Sequence, residues 1–160
     1  MINFFFYRLV SISNAYSLVN PERDLDKCEK CLKNFLNKEF PWVVADLGKK
    51  PDPQVLLSRL QEYNIYFYCG HGSGTQYLNP SDFKKAIIKG MIMLFGCCSN
   101  LPKITGGRTP YQNHTYTYII NGCPCLIGCL HDVNSTETDA VCLDMLSTVM
   151  PVFKNEGKLY

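Results

Sequence analysis

The 160-residue chain lacks any run approaching the roughly 18 apolar residues that a membrane-spanning helix requires, so no membrane span is expected. It also lacks an excess of one charge. Sixteen Lys and Arg stand against 14 Asp and Glu, and the lysines are scattered through amphipathic stretches, which predicts no direct nucleic-acid partner. No internal repeat and no low-complexity segment occurs. The glycine-rich GHGSG segment lacks the Lys-Ser/Thr ending of a phosphate-binding loop. A convincing secretion signal is missing too, because Arg8 interrupts the apolar start MINFFFYRLV and no basic residue precedes it. The nine cysteines, odd in number and spread over predicted strands, helices and loops, therefore read as thiols in a reducing compartment and not as a disulfide framework.

What is present suits one soluble domain over residues 1–160. Hydrophobic residues make up 46% and charged residues 19%, and a chain of this size buries roughly 70% of its unfolded surface. Tyr16 to Val19 reads as a short strand, followed by the turn-forming NPERD. LDKCEKCLKNFLN places Leu25, Cys28, Leu32, Phe35 and Leu36 at helical spacing. WVVAD fits either a strand or an irregular connection, and QVLLSRLQEY a helix. Ile65 to Cys69 and Met91 to Phe95 are continuous apolar runs of the kind that forms strands buried on both faces. Between them, Asn79 to Ser81 offers a helix start, and DFKKAIIKG is expected to be a short amphipathic helix ended by Gly90. A Pro-, Gly- and Thr-rich loop from about Leu101 to Pro110 leads into TYTYIINGCP, expected as a helix, and CLIGCL at Cys125 to Leu130 is expected as a third buried strand. Ser135 or Thr136 is placed as the cap of a last helix from about Glu137 to Val149. The pattern is α/β with a mainly parallel central sheet.

A helical crossover between two strands makes them parallel, so both C-terminal ends fall on one edge. His71, just after the first, and Cys97, just after the second, emerge there together, where open parallel sheets bind ligands. A thiol, an imidazole and backbone donors for an oxyanion are what thiol peptidase chemistry needs. Gly72, without a side chain, lets a peptide backbone approach and can turn its N–H toward a substrate carbonyl.

The segments YFYCGHGSGTQYL, MIMLFGCCSN and NGCPCLIGCLHDVNSTETD, with YSLVNPERDL upstream, resemble the catalytic domain of separase, a caspase-like cysteine peptidase. The likeness covers about residues 16–150. It implies a caspase-like three-layer sandwich, incomplete at the C-terminal end. His71 matches the catalytic histidine and Cys97 the nucleophile, with Gly72 and Cys97 supplying oxyanion N–H groups, while Cys98 falls where serine is usual. The family cleaves after arginine, so a carboxylate should pair with the guanidinium. Asp139 is carried over as the arginine reader, with Asp132 and Glu137 as further candidates. His131 stands where the family commonly has tryptophan, and Ser135 where it has aspartate. The implied substrate is a cohesin kleisin subunit, the implied partner a securin-like inhibitor, and the implied location cytoplasmic and nuclear. No cofactor or metal is required.

Two other classes compete with the peptidase reading. One is a pseudoprotease that keeps the sheet as a binding scaffold. The other is a small metal module, in which Cys28 and Cys31 would have to converge with Cys123, Cys125 and Cys129 around zinc. His114 has no partner identifiable in sequence.

Overall fold

In the computed structural model, which describes residues 14–101 and 116–156, the apolar runs become the centre of a parallel sheet. β1 (Ala15–Val19), β3 (Ile65–Cys69) and β4 (Met91–Phe95) are buried along their whole length. WVVAD resolves as a strand, β2 (Val44–Leu47), and β5 (Leu126–Gly128) completes the order β2-β1-β3-β4-β5, with every pairing parallel. The side-chain period of two divides each central strand between two cores. Ala15, Val19, Phe67, Cys69, Met93 and Phe95 pack under α1 (Asp26–Glu39) and α5 (Ser135–Glu156). Tyr16, Leu18, Tyr66, Tyr68, Ile92 and Leu94 pack on the other face with α2 (Pro53–Glu62), α3 (Pro80–Phe83) and α4 (Tyr116–Ile120). These helix, sheet and helix layers are the expected α/β sandwich.

The strand register positions everything that follows. Val19 pairs with Cys69, and Cys69 with Phe95, so β1, β3 and β4 end level with one another. The loops that leave them, beginning at Asn20, Gly70 and Gly96, start side by side on one edge of the sheet.

Three expectations need correction. DFKKAIIKG is not a continuous helix: α3 ends at Phe83, and three-residue turns bond Lys85 N to Asp82 O and Ala86 N to Phe83 O. From there burial alternates, with Ala86 and Ile88 inside and Ile87 64% exposed, so these apolar residues follow an extended period and not a helical one. Asn79 does cap α3, accepting from Ser81 N at 3.0 Å. β5 spans only Leu126–Gly128 and is half-buried, because among the described residues it is an edge strand with a neighbour on one side. Finally, Asn134 caps α5: its Oδ1 accepts from Thr136 N and its carbonyl from Thr138 N. The asparagine side chain lies two residues before the N–H it satisfies, whereas Ser135 and Thr136 already belong to the helix. That helix continues through Pro151 to Glu156. The opening residues, the loop at 102–110 and His114 lie outside the described residues.

Candidate active site

The two loops that carry His71 and Cys97 meet backbone to backbone at Gly96. A Cβ at Gly96 would lie 2.5 Å from Gly70 O and closer still to Gly72 O, an approach that real side chains do not make. Only glycine lets the chain leaving β4 lie against the Gly70–His71–Gly72 turn. That turn is held from below. Tyr68 Oη and Gln76 Nε2 both donate to the His71 carbonyl, each at 2.7 Å. Burial pushes the Tyr68 phenol well above its usual range, so the hydroxyl stays a donor. The φ of +64° at Gly72 and +75° at Gly74 gives the turn its left-handed bends.

His71, Gly72, Ser73, Gln76, Cys97 and Cys98 line one cleft of about 630 Å³. The expected convergence of the histidine and cysteine loops is therefore present. Among the described residues, neither the Gly72 N–H nor the Cys97 N–H donates to a loop carbonyl. The adjacent Cys98 N–H is committed to His131 O at 3.0 Å.

The two neighbouring thiols differ in environment. Cys97 Sγ donates to Val133 O at 3.2 Å, a neutral acceptor, while Cys98 Sγ donates to the Asp132 carboxylate at 3.1 Å. That hydrogen bond to Asp132 raises the Cys98 thiol above its ordinary value, since the thiolate would face a negative charge. Cys98 also sits at φ +50°, in the left-handed region that non-glycine residues seldom adopt. The carboxylate contact therefore disfavours Cys98 as the nucleophilic thiolate.

His71 has a partner that the sequence reading missed. Its Nε2 lies 2.8 Å from Asp24 Oδ2, with both side chains half-exposed. Asp24 belongs to the loop after β1, and buried Asn20 builds that loop. Asn20 N donates to Cys69 O, its Oδ1 accepts from Asp24 N and Leu25 N, and its Nδ2 donates to Glu29 at 2.8 Å. Arg23, at φ +63°, reaches Gly48 O, and Glu22 is held by Tyr77 and Lys50. The available signal was NPERD at the end of the strand expected at Tyr16 to Val19. Turn chemistry places NPERD in a loop without showing which side chain the loop presents.

Among the described residues, Asp132 alone of the three proposed arginine readers bonds to a residue that lines the cleft. Asp132 reaches it through Cys98, whereas Glu137 and Asp139 lie in the first turns of α5 and do not line the cleft. The cysteines of the metal alternative do not converge. Cys28 is buried in the core under α1, and Cys123 in the core on the opposite face of the sheet. Cys28 packs instead in the same core as Cys69 and Cys142, whose sulfurs are 3.6 Å apart. Burial is the main reason the Cys69 thiol is pushed up, which makes it inert.

The chain has matches among known proteins. The family model described as "Separin, protease domain" matches residues 7–139. The chain belongs to the separin protease-domain family. It is 33% identical over 146 residues to separin of Saccharomyces cerevisiae, covering 87% of this chain and 9% of that protein. It is 27% identical over 130 residues to separin of Mus musculus, covering 81% of this chain and 6% of the relative. The crystal structure of the Saccharomyces cerevisiae separase–securin complex at 2.6 Å superposes with a TM-score of 0.76 at 29% identity, over 85% of this chain and 9% of that one. The chain thus spans less than a tenth of the length of these relatives. The α/β sheet it shares with them is the separase peptidase fold.

Proposed function

We propose that this chain is the catalytic core of a cysteine endopeptidase in which Cys97 is the nucleophile and His71 the general acid and base. The observation that carries this reading is the Gly96 contact, which sets the Cys97 backbone against the His71 turn on the wall of one cleft. In the reaction, Cys97 Sγ leaves Val133 O and gives its proton to His71. The thiolate then attacks the scissile carbonyl. Gly72 and Cys97 N–H groups receive the tetrahedral oxyanion. Protonated His71 gives its proton to the leaving amine as the C–N bond breaks. A water, deprotonated by His71, then attacks the thioester, the C–S bond breaks, and Cys97 regains its proton.

The substrate class is a peptide cut after arginine, as in a cohesin kleisin subunit during release of sister chromatids. The guanidinium would meet Asp139, the reader carried over from the family, or one of the further candidates Glu137 and Asp132, of which Asp132 bonds to Cys98. A securin-like chain is the corresponding inhibitor, on the precedent of the complex that this fold resembles, and the setting is the cytoplasm and nucleus.

An arginyl-peptide acyloxymethylketone tests the reading. Labelling of Cys97 that is lost in His71→Ala and Cys97→Ser, and kept in Cys98→Ser, is expected. Labelling that survives Cys97→Ser and disappears in Cys98→Ser would move the nucleophile. A second reading, a scaffold without turnover, takes support from the resting bonds of His71 to Asp24 and of Cys97 to Val133. Folded protein that is never labelled would favour it.

A further inference from the structure

The Asp24–His71 contact could be one more surface ion pair, but the loop beneath it is built more firmly than such a pair needs. We propose that Asp24 is a positioning residue for catalysis, fixing the ring orientation and tautomer of His71; this rests on the peptidase reading above. Three observations carry it. Asp24 Oδ2 meets Nε2 at 2.8 Å, so a neutral ring donates Nε2–H to the carboxylate and keeps Nδ1 as the nitrogen that exchanges protons with the thiol. The backbone N–H of Asp24 is held by Asn20 Oδ1 at 3.0 Å, and Asn20 is itself bonded to Cys69 O, two residues before His71. The same few atoms thus fix the carboxylate and the histidine turn relative to one another. Lastly, the loop keeps two non-glycine residues, Asn20 at φ 51° and Arg23 at φ 63°, in a left-handed conformation that is costly unless the surroundings enforce it.

The chemistry follows from the proton balance. When Cys97 passes its proton to Nδ1, the ring becomes an imidazolium whose Nε2–H already faces a carboxylate, and no proton moves to Asp24. The charge that appears during the reaction meets a counter-charge already in place. Asp24 touches neither thiol nor substrate, and it acts through His71 alone.

Asp24→Asn is the test, because the amide is isosteric, retains the backbone contact to Asn20 and, with Nδ2 in place of Oδ2, donates to Nε2 and so favours the proton on Nδ1. Cleavage of an arginyl-peptide substrate gives kcat and KM, and nitrogen-15 NMR of labelled histidine gives the His71 tautomer in the folded chain. The expected result is a fall in kcat of about 10- to 100-fold with KM within twofold, together with loss of the dominant Nε2–H tautomer. The inference is overturned by a kcat within twofold of the parent, by an unchanged tautomer, or by a loss that falls on KM. A parent chain that neither cleaves nor is labelled would sink the peptidase reading instead, and the tautomer would still decide whether Asp24 orders the ring.

Discussion

Replacing Gly96 with alanine tests the backbone contact on which the site depends. The added Cβ would sit 2.5 Å from Gly70 O and closer to Gly72 O. Ordinary carbon–oxygen contact begins near 3.3 Å, so the loops must separate by roughly 1 Å. Overpacking of this kind costs about 1–3 kcal/mol, occasionally more. Here the obstacles are carbonyls of a turn already held by Tyr68 and Gln76, not flexible side-chain ends, which places Gly96→Ala at about 3 kcal/mol. For a domain of this size that is roughly a 6–12 °C fall in melting temperature. A displacement of about 1 Å between nucleophile and base should also slow acyloxymethylketone labelling by about 100-fold. Gly72→Ala is the control. Its Cβ would meet only Gln76 Oε1, at 4.0 Å, leaving the left-handed φ of +64° as the main cost, about 1 kcal/mol. Urea denaturation of both variants, with labelling rates on the folded protein, decides the matter. A Gly96→Ala protein within about 0.5 kcal/mol of the parent, or less destabilised than Gly72→Ala, would refute the reasoning.

Asp132→Asn should speed alkylation of Cys98 severalfold at pH 8, because removing the carboxylate lowers the thiol toward its ordinary value and enlarges the thiolate fraction; mass spectrometry of each thiol reads this, and an unchanged Cys98 rate would contradict the assigned contact. Tyr118→Phe should leave stability unchanged or raise it by about 1 kcal/mol, since the buried hydroxyl has no hydrogen-bond partner among the described residues; a loss above about 1.5 kcal/mol in urea denaturation would mean that the hydroxyl is satisfied in solution.

What was legible in the sequence was whatever burial dictates. IYFYC and MIMLF fit strands covered on both faces, and a crossover between them implies parallel pairing, which puts His71 and Cys97 on one edge. Periodicity failed where a segment was short. AII in the crossover satisfies a helical and an extended pattern equally, and the extended one prevails because Ala86 and Ile88 both reach the core while Ile88 N bonds Asn121 O. CLIGCL was apolar enough for a central strand, yet the sheet order leaves it an edge among the described residues. The site divides in the same way. Gly96 shows in the sequence only as the residue between an apolar run and Cys97, because sequence names a glycine without naming the carbonyl it must clear. Asp24 was hidden for a different reason: 47 residues separate it from His71, and only the level ends of β1 and β3 bring the two loops together. Each missed contact is long-range and polar, made between loops whose backbones bend at positive φ. Hydrophobic periodicity carries no information about such geometry. In this fold the apolar pattern selects which strand ends are neighbours, and the residues just beyond those ends, with Asn20 and Gly96 as the fixed points, determine what the neighbours can do.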